Sequence, residues 1–285
     1  MTYKALYEYG KKKLEEAGIE EASLDARLLL EYVCHTNRNE LLVYGDKNRS
    51  EFEAQVYQMA IDRRAARIPL QHITGEQEFM GLRFRVNEHV LIPRQDTEIL
   101  VEEAMRCLAD GMRILDLCTG SGCILLSLLK YSNECEGIGI DISDKALLTA
   151  RENASALQLD AVFLEGDLFA PLENYVSSKT KDRLFDIVVS NPPYIETEEI
   201  KVLMPEVREH EPLLALDGGE DGLSFYRKII QKAPEYMRKG AHLFLEIGCK
   251  QGEAVRTLMQ EAGFSQIQIL KDYAGLDRVV FGMKA

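Results

Sequence analysis

The sequence predicts an α/β protein, in which a doubly wound, mostly parallel sheet of about seven strands follows a small helical domain. Three observations support this class. Helical patterns fill residues 1–70, an alternating stretch follows, and short apolar runs alternate with helical stretches from residue 113 onward. Such alternation of strands and helices is typical of a parallel sheet that is covered on both faces.

The N-terminal part of the chain, residues 1–70, is predicted to form the helical domain. The stretch from Ser23 has apolar residues at helical spacing, and serine is a good N-cap residue. Ser50 followed by Glu53 is a capping-box pattern at the start of another helix, which ends before Pro69. Because no phosphate-binding loop or catalytic cluster lies here, we expect a domain that packs or docks a substrate.

A linker and the start of the main domain come next. Residues 71–92 alternate apolar and polar side chains around Gly81, which predicts a β-hairpin. The main domain then covers residues 93–285, and its first helix is expected to begin at a cap formed by Asp96 or Thr97.

Five apolar runs in the main domain are predicted to be strands. They lie at residues 113–118, 136–142, 161–167, 185–191 and 241–248. Helices are expected to begin at about Ser121 and after Ser143, a natural cap. Two further strands end the chain. Their connection through Gly275 is too short for a helical crossover, so these two strands are predicted to be antiparallel.

Composition and charge limit the classes of protein that fit. The 285 residues are 46% hydrophobic, and no apolar run approaches the roughly 18 residues of a membrane span, so no membrane partner is expected. Residues 1–87 carry a net charge of −1 and residues 88–285 carry −12. A main domain this acidic repels phosphate, so direct nucleic-acid binding is not expected. The six cysteines form no CxxC pair, which argues against a zinc site or disulfides and favours the cytoplasm.

The turn after the first strand of the main domain has features of a nucleotide-binding turn. Gly120 and Gly122 let the backbone bend and approach a ligand, beside a helix N-terminus that favours an anionic group. Asp141 ends the second strand, where doubly wound folds place a carboxylate on ribose hydroxyls. Asp167 ends the third strand, in reach of an adenine amino group. Together these positions predict a nucleoside site at one edge of the sheet.

The fourth strand ends in Asn191-Pro192-Pro193-Tyr194, which we call the proline corner. Proline lacks an N–H and fixes φ, so two prolines make a stiff corner. Such a corner is suited to a planar NH2 group. The Asn191 side-chain oxygen and the Pro192 carbonyl can each accept one N–H, and Tyr194 can lie against the plane. Both bonds would tighten as positive charge develops on the nitrogen.

The glycine turn and the two acidic strand ends resemble those of class I S-adenosylmethionine-dependent methyltransferases. NAD or FAD is the rival ligand, and the antiparallel last strand and the proline corner disfavour it. The resemblance implies that S-adenosylmethionine is the cofactor and that its site is formed by Cys118, Thr119, Gly120, Ser121, Gly122, Asp141, Asp167, Leu168 and Asn191. Cys118 stands where the family's turn more often has glycine. Leu168 stands where many members have an aromatic residue, for which Phe169 is the candidate replacement.

Almost the whole chain resembles the release-factor glutamine methyltransferases, also called PrmC or HemK. The most specific matches are Ile92-Pro93-Arg94 with Thr97 and Glu98, and residues 211–226 after the proline corner. This family methylates the side-chain nitrogen of the glutamine in the Gly-Gly-Gln motif of class I peptide chain release factors. The resemblance therefore implies a release factor as partner. It also implies a glutamine site formed by Asn191, Pro192, Pro193 and Tyr194, with catalytic roles for Asn191, Pro192 and Tyr194.

Three alternatives share part of this pattern. Ribosomal-protein glutamine methyltransferases are close relatives. DNA adenine N6-methyltransferases share the proline corner but usually need a basic recognition segment and a way to flip a base, and neither is visible here. A non-catalytic regulator that only binds S-adenosylmethionine would not need the proline corner. The sequence assigns no role to Glu246, His210 or Arg94.

Overall fold

The computed structural model describes residues 1–173, 175 and 183–285, which fold into two units. One unit comprises Met1–Glu76 and Met204–His210. The other comprises Gln77–Leu203 and Glu211–Ala285. Residues 204–210 thus group with the N-terminal helices, although they follow the proline corner in the chain.

The first unit is helical. Its helices are α1 (Tyr3–Glu16), α2 (Ala22–Cys34), α3 (Arg38–Val43), α4 (Glu51–Ala65), α5 (Leu70–Thr74) and α9 (Pro205–His210). The helices from α1 to α5 pack around fully buried apolar side chains such as Leu14, Leu29 and Ile61. The capping box predicted at Ser50 and Glu53 is present at the start of α4.

The second unit begins with a two-stranded hairpin, β1 (Glu76–Phe79) and β2 (Leu82–Arg85), of which Glu76 itself belongs to the first unit. Its further strands are β3 (Arg113–Leu117), β4 (Glu136–Asp141), β5 (Val162–Glu165), β6 (Phe185–Ser190), β7 (Met237–Glu246), β8 (Phe264–Lys271) and β9 (Asp277–Lys284). Its helices are α6 (Glu98–Cys107), α7 (Cys123–Lys130), α8 (Asp144–Leu157), α10 (Ser224–Lys232) and α11 (Gly252–Glu261).

The seven strands from β3 to β9 form one sheet in the order β5-β4-β3-β6-β7-β9-β8. The strands from β3 to β7 are parallel to one another, and β9 runs antiparallel between β7 and β8. One apolar cluster joins the sheet to α6, α7 and α8, and another joins it to α10 and α11. The predicted fold class, including the antiparallel last strand, is confirmed.

The register of the sheet brings three strand ends to one level. Leu117 at the end of β3 pairs with Ile140 on β4 and with Ser190 on β6. The order of the strands along the chain reverses between β3 and β6, and ligands bind at such reversals in doubly wound sheets. The glycine turn, Asp141 and the proline corner lie at that edge, each at the carboxyl end of one of these three strands.

The predicted helix starts were less accurate than the predicted strands. Helix α2 begins at Ala22, and its cap position, Glu21, makes no side-chain cap bond, so the predicted cap at Ser23 was wrong. Thr97 lies at the cap position of α6 but also makes no cap bond. Within the part of the chain that the structure describes, no helix combines the length and apolar character that crossing a membrane requires.

Candidate active site

A cavity of about 260 Å³ lies at the carboxyl ends of β3, β4 and β6. Most of the residues predicted for the cofactor and the acceptor line it: Cys118, Thr119, Gly120, Ser121, Asp141, Asp167, Leu168, Asn191 and Pro193. Gly122, Pro192 and Tyr194 do not. The cavity is also lined by residues that the sequence did not single out, among them His89, Val90, Leu91, Leu214, Phe225 and Lys228.

The glycine turn is held open towards the cavity. Cys118 and Gly120 have φ values of +58° and +55°, so the chain turns sharply twice within three residues. A Cβ atom built on Gly120 would meet no atom within 4 Å, which leaves room for a ligand against the backbone. Gly122 has a different role, because a Cβ there would lie 3.1 Å from Leu126 and 3.3 Å from Ala150. Its missing side chain lets α7 pack closely on α8.

Asp141 links two parts of the cavity wall. Its Oδ2 accepts a hydrogen bond from the Gly120 backbone N–H at 2.8 Å, and its Oδ1 accepts one from Ser143 at 2.9 Å. Burial raises the pKa of Asp141, while these backbone N–H groups act in the opposite direction. A carboxylate has about four acceptor sites, so Asp141 can still accept bonds from two ribose hydroxyls. The residues present therefore fit the nucleoside part of S-adenosylmethionine.

The third strand end, where adenine was expected to bind, has no aromatic residue at position 168. Leu168 lines the cavity with φ of +49°, beside Asp167. Phe169 is buried and stacks on Tyr236 with ring centroids 4.9 Å apart, so it does not replace an aromatic residue at Leu168. Phe225 from α10 brings a phenyl ring to the cavity wall.

The acceptor groups of the proline corner are free. The Asn191 amide donates from Nδ2 to the Thr97 hydroxyl at 3.4 Å. In the described ranges, neither Asn191 Oδ1 nor the Pro192 carbonyl accepts a protein hydrogen bond. Asn191 reaches the cavity, and the ring of Pro193 also lines it. Two acceptors at this corner are therefore available to an NH2 group.

Tyr194 braces the corner and does not line the cavity. Its hydroxyl donates to Glu246 Oε1 at 3.4 Å, and its carbonyl accepts from Gln251 at 2.9 Å. Cβ atoms on Gly218 and Gly222 would lie 2.7 Å and 2.4 Å from Tyr194 backbone atoms. Glycines in the segment after the corner therefore let two backbones meet, which explains part of the residue 211–226 pattern.

Arg94, to which the sequence assigned no role, has a structural partner. Arg94 forms an ion pair with the buried Glu211, which also accepts from the Ile92 backbone N–H at 3.2 Å. This pair fixes the Ile-Pro-Arg segment to the chain after the corner. His210 ends α9 and belongs to the helical unit.

The fold and the cavity define a methyltransferase of the doubly wound α/β class. Residues 108–263 match the family model described as a methyltransferase domain, and residues 5–75 match the PrmC N-terminal domain. The chain belongs to the release factor glutamine methyltransferase family.

Several similar proteins support this membership. A release factor glutamine methyltransferase from Geobacter sulfurreducens is 41% identical over 281 residues, which cover 99% of this chain and 96% of that protein. One from Moorella thermoacetica is 43% identical over 272 residues, which cover 94% and 93%. A methyltransferase structure from Pyrococcus furiosus shares the fold, with a TM-score of 0.55 and 16% identity over 79% of this chain and 99% of that one.

Proposed function

We propose that this enzyme transfers a methyl group from S-adenosylmethionine to the side-chain amide nitrogen of the glutamine in the Gly-Gly-Gln motif of class I release factors. The observation that carries the proposal is the pair of free acceptors, Asn191 Oδ1 and the Pro192 carbonyl, at the corner beside the cofactor-type cavity. The family membership supports the same substrate.

The cofactor site is proposed to consist of the turn residues Cys118, Thr119, Gly120 and Ser121 with Asp141, Asp167, Leu168 and Asn191. Gly122 acts through the packing of α7. Backbone N–H groups of the turn bind the anionic end of the cofactor, and Asp141 binds the ribose. S-adenosylmethionine supplies a methyl group on a positively charged sulfur, which is already activated for transfer.

The protein's task is to position and polarise the amide. An amide nitrogen is a poor nucleophile because its lone pair is shared with the carbonyl group. Asn191 Oδ1 and the Pro192 carbonyl are proposed to accept hydrogen bonds from its two N–H groups, which fixes its orientation and stabilises the positive charge that develops on it. The nitrogen lone pair would form the new N–C bond as the S–CH3 bond breaks and leaves its electron pair on the sulfur, and the nitrogen would release a proton to water. Positioning of this kind can contribute roughly 7–11 kcal/mol in well-oriented reactions.

Substitution of Asn191 tests the proposal directly. We expect Asn191→Ala to lower methyl transfer to an intact release factor at least about 100-fold, as loss of one preorganised polar group does elsewhere. Cofactor affinity, measured by calorimetry, should fall far less than methyl transfer, because Asn191 is one of eight residues in the proposed cofactor site. The matched control is Asn133→Ala in an exposed loop of the same unit.

A second experiment identifies the acceptor. Wild-type enzyme is incubated with labelled methyl donor and, in parallel, with release factor, ribosomal protein or DNA. Methylation of DNA or ribosomal protein but not of release factor would contradict the proposal.

The helical domain, residues 1–70, is proposed to dock the protein substrate, with residues 71–92 as linker and 93–285 as the catalytic domain. Exposed apolar side chains on and next to α3 support this role, since Leu42, Val43 and Tyr44 are 73%, 71% and 56% exposed. A release-factor substrate also implies a cytoplasmic enzyme without direct nucleic-acid binding. Intact release factor should therefore be a better substrate than a short peptide that contains Gly-Gly-Gln.

A further inference from the structure

Glu246 is a carboxylate buried behind the proline corner. It ends β7, and the pairing of Ser190 with Leu245 brings Asn191 and Glu246 out of neighbouring strands at the same level. The residue is 1% exposed, and its Oε2 has no hydrogen-bond partner within the described part of the chain. Burying a carboxylate with an unpaired oxygen costs folding free energy, so its presence beside the corner calls for a role.

Thr97 links the surroundings of Glu246 to Asn191. Hydrogen bonding from Thr97 and Tyr194 opposes the effect of burial on the pKa of Glu246, and the Thr97 hydroxyl oxygen accepts from Asn191 Nδ2 at 3.4 Å. Thr97 is 2% exposed, so water does not compete for its hydroxyl. Bonds of this length are common in catalytic sites without ligand and tighten when substrate binds.

The chemistry of the three groups gives this link a direction. An ionised carboxylate only accepts, so a Thr97 hydroxyl that bonds to Glu246 gives its single hydrogen to that carboxylate. The Thr97 oxygen is then an acceptor, and it selects the NH2 side of the Asn191 amide. The other side, Oδ1, is left as the free acceptor of the proline corner.

Resting on the proposed function, we infer that Glu246 is a positioning residue which, through Thr97, fixes the Asn191 amide with its oxygen towards the acceptor nitrogen. The position of Thr97 agrees with this role. It is the last residue of a 3₁₀ turn, Gln95–Thr97, that runs directly into α6, and its helical φ and ψ differ from those of an N-cap, so its hydroxyl is left for Asn191.

Three single variants and one double variant test the inference. Glu246→Gln keeps the shape but presents an NH2 group, which can donate to Thr97 and reverse the link. We expect kcat to fall by on the order of 10- to 100-fold, with cofactor affinity within twofold of wild type. Thr97→Val should lose a similar factor, and Thr97→Ser, which restores the hydroxyl, should recover most of it. The kcat of the double variant Glu246→Gln/Thr97→Val should be no lower than that of the worse single variant, because both substitutions act on the same contact with Asn191.

The pH dependence of kcat distinguishes this positioning role from a purely structural one. Burial raises the pKa of Glu246 to about 7, against the effects of Thr97, Arg278 and Tyr194. A protonated carboxyl can donate to Thr97, so wild-type kcat should fall as the pH drops through this range. Glu246→Gln should lack that change. The titratable and charged groups that face Glu246 are Asp96, Arg278, Tyr194, Tyr226 and Cys123.

Controls separate this inference from the proposed function. Asp186→Asn removes a carboxylate from β6 that pairs with Arg238, away from the cavity, and should leave kcat unchanged. If wild type methylates release factor but Glu246→Gln keeps wild-type kcat, or Thr97→Val equals Thr97→Ser, the inference is overturned and the function stands. If wild type methylates no release factor, the function itself fails. Should Glu246→Gln not fold, the comparison of the two Thr97 variants decides alone.

Discussion

Cys118 adopts a backbone conformation in the glycine turn that glycine usually adopts. Its φ of +58° is a left-handed conformation that disfavours side chains by roughly 1–2 kcal/mol. The sequence indicates a departure from the family at this position but not how the chain accommodates it. The structure places the Cys118 thiol beside Ser190, and burial raises its pKa, so the thiol stays protonated and unreactive.

Substitution of Gly120 tests whether the open space at the turn admits the cofactor. Alanine there meets no protein atom within 4 Å, so we expect Gly120→Ala to fold but to block the approach of the cofactor, raising its Kd at least about tenfold, or roughly 1.4 kcal/mol. Gly111→Ala is the matched control, because Gly111 also has positive φ, at +75°, and open space around it, but lies outside the cavity. Calorimetric titration with S-adenosylhomocysteine measures both. Equal affinities for the two variants would show that Gly120 is only a turn residue.

At the scale of elements, the short helix α9 is held by a cluster of buried charges within the helical unit. Glu206 accepts from Arg64 at 3.1 Å and from Arg67 at 3.2 Å, and Arg64 also donates to Asp25 at 2.7 Å. Burial opposes ionisation of Glu206, but its backbone and arginine hydrogen bonds prevail and lower its pKa. No local pattern in residues 204–210 indicates these partners, since they lie about 140 residues earlier in the chain. The grouping of α9 with the N-terminal helices therefore required the structure.

Arg64 is the centre of that cluster, and its removal should be costly. Arg64→Ala leaves the buried carboxylates of Asp25 and Glu206 without their shared partner, so we expect a loss of about 3–5 kcal/mol in unfolding free energy. Arg63→Ala, at a neighbouring exposed position of α4, is the control and should cost less than about 0.5 kcal/mol. The free energy of unfolding of both variants is measured by hydrogen exchange of the backbone amides in α2 and α4 at increasing urea concentration. Similar stability of both variants would mean that the cluster contributes little.

At the scale of the whole molecule, the sequence predicts the sheet better than it predicts the cavity. Strands β3, β4 and β6 end within one residue of their predicted ends, because continuous apolar runs mark buried strands. The turn, Asp141 and Asn191 could be predicted for the same reason, since each directly follows a strand. His89, Leu214 and Phe225 could not, because they reach the cavity from loops and a helix through long-range packing. The bond between Thr97 and Asn191 could not be predicted either, because a cap pattern explains Thr97 locally.

Two buried carboxylates should give the fold an unusual pH dependence. Burial raises the pKa of Asp116 and of Glu246 to about 7 each, well above the values of about 4 expected in the unfolded chain. Between these values the folded state holds protons that the unfolded chain has released. Their contribution to stability is therefore complete below about pH 4 and is lost as the pH rises through 7.

We therefore expect the double variant Asp116→Asn/Glu246→Gln to gain stability relative to wild type as the pH is raised from 5 to 7. The slope of the difference in unfolding free energy should not exceed about 2.7 kcal/mol per pH unit, the limit for two protons, and each single variant should show about half of it. Urea unfolding at pH 5, 6, 7 and 8 measures the difference, in which the other titrating groups cancel. The difference should level off by pH 8, when both carboxyls are ionised in either state. A difference that stayed constant from pH 5 to pH 8 would mean that both groups are already ionised in the fold, and the carboxylate of Glu246 would then direct Thr97 across that whole range.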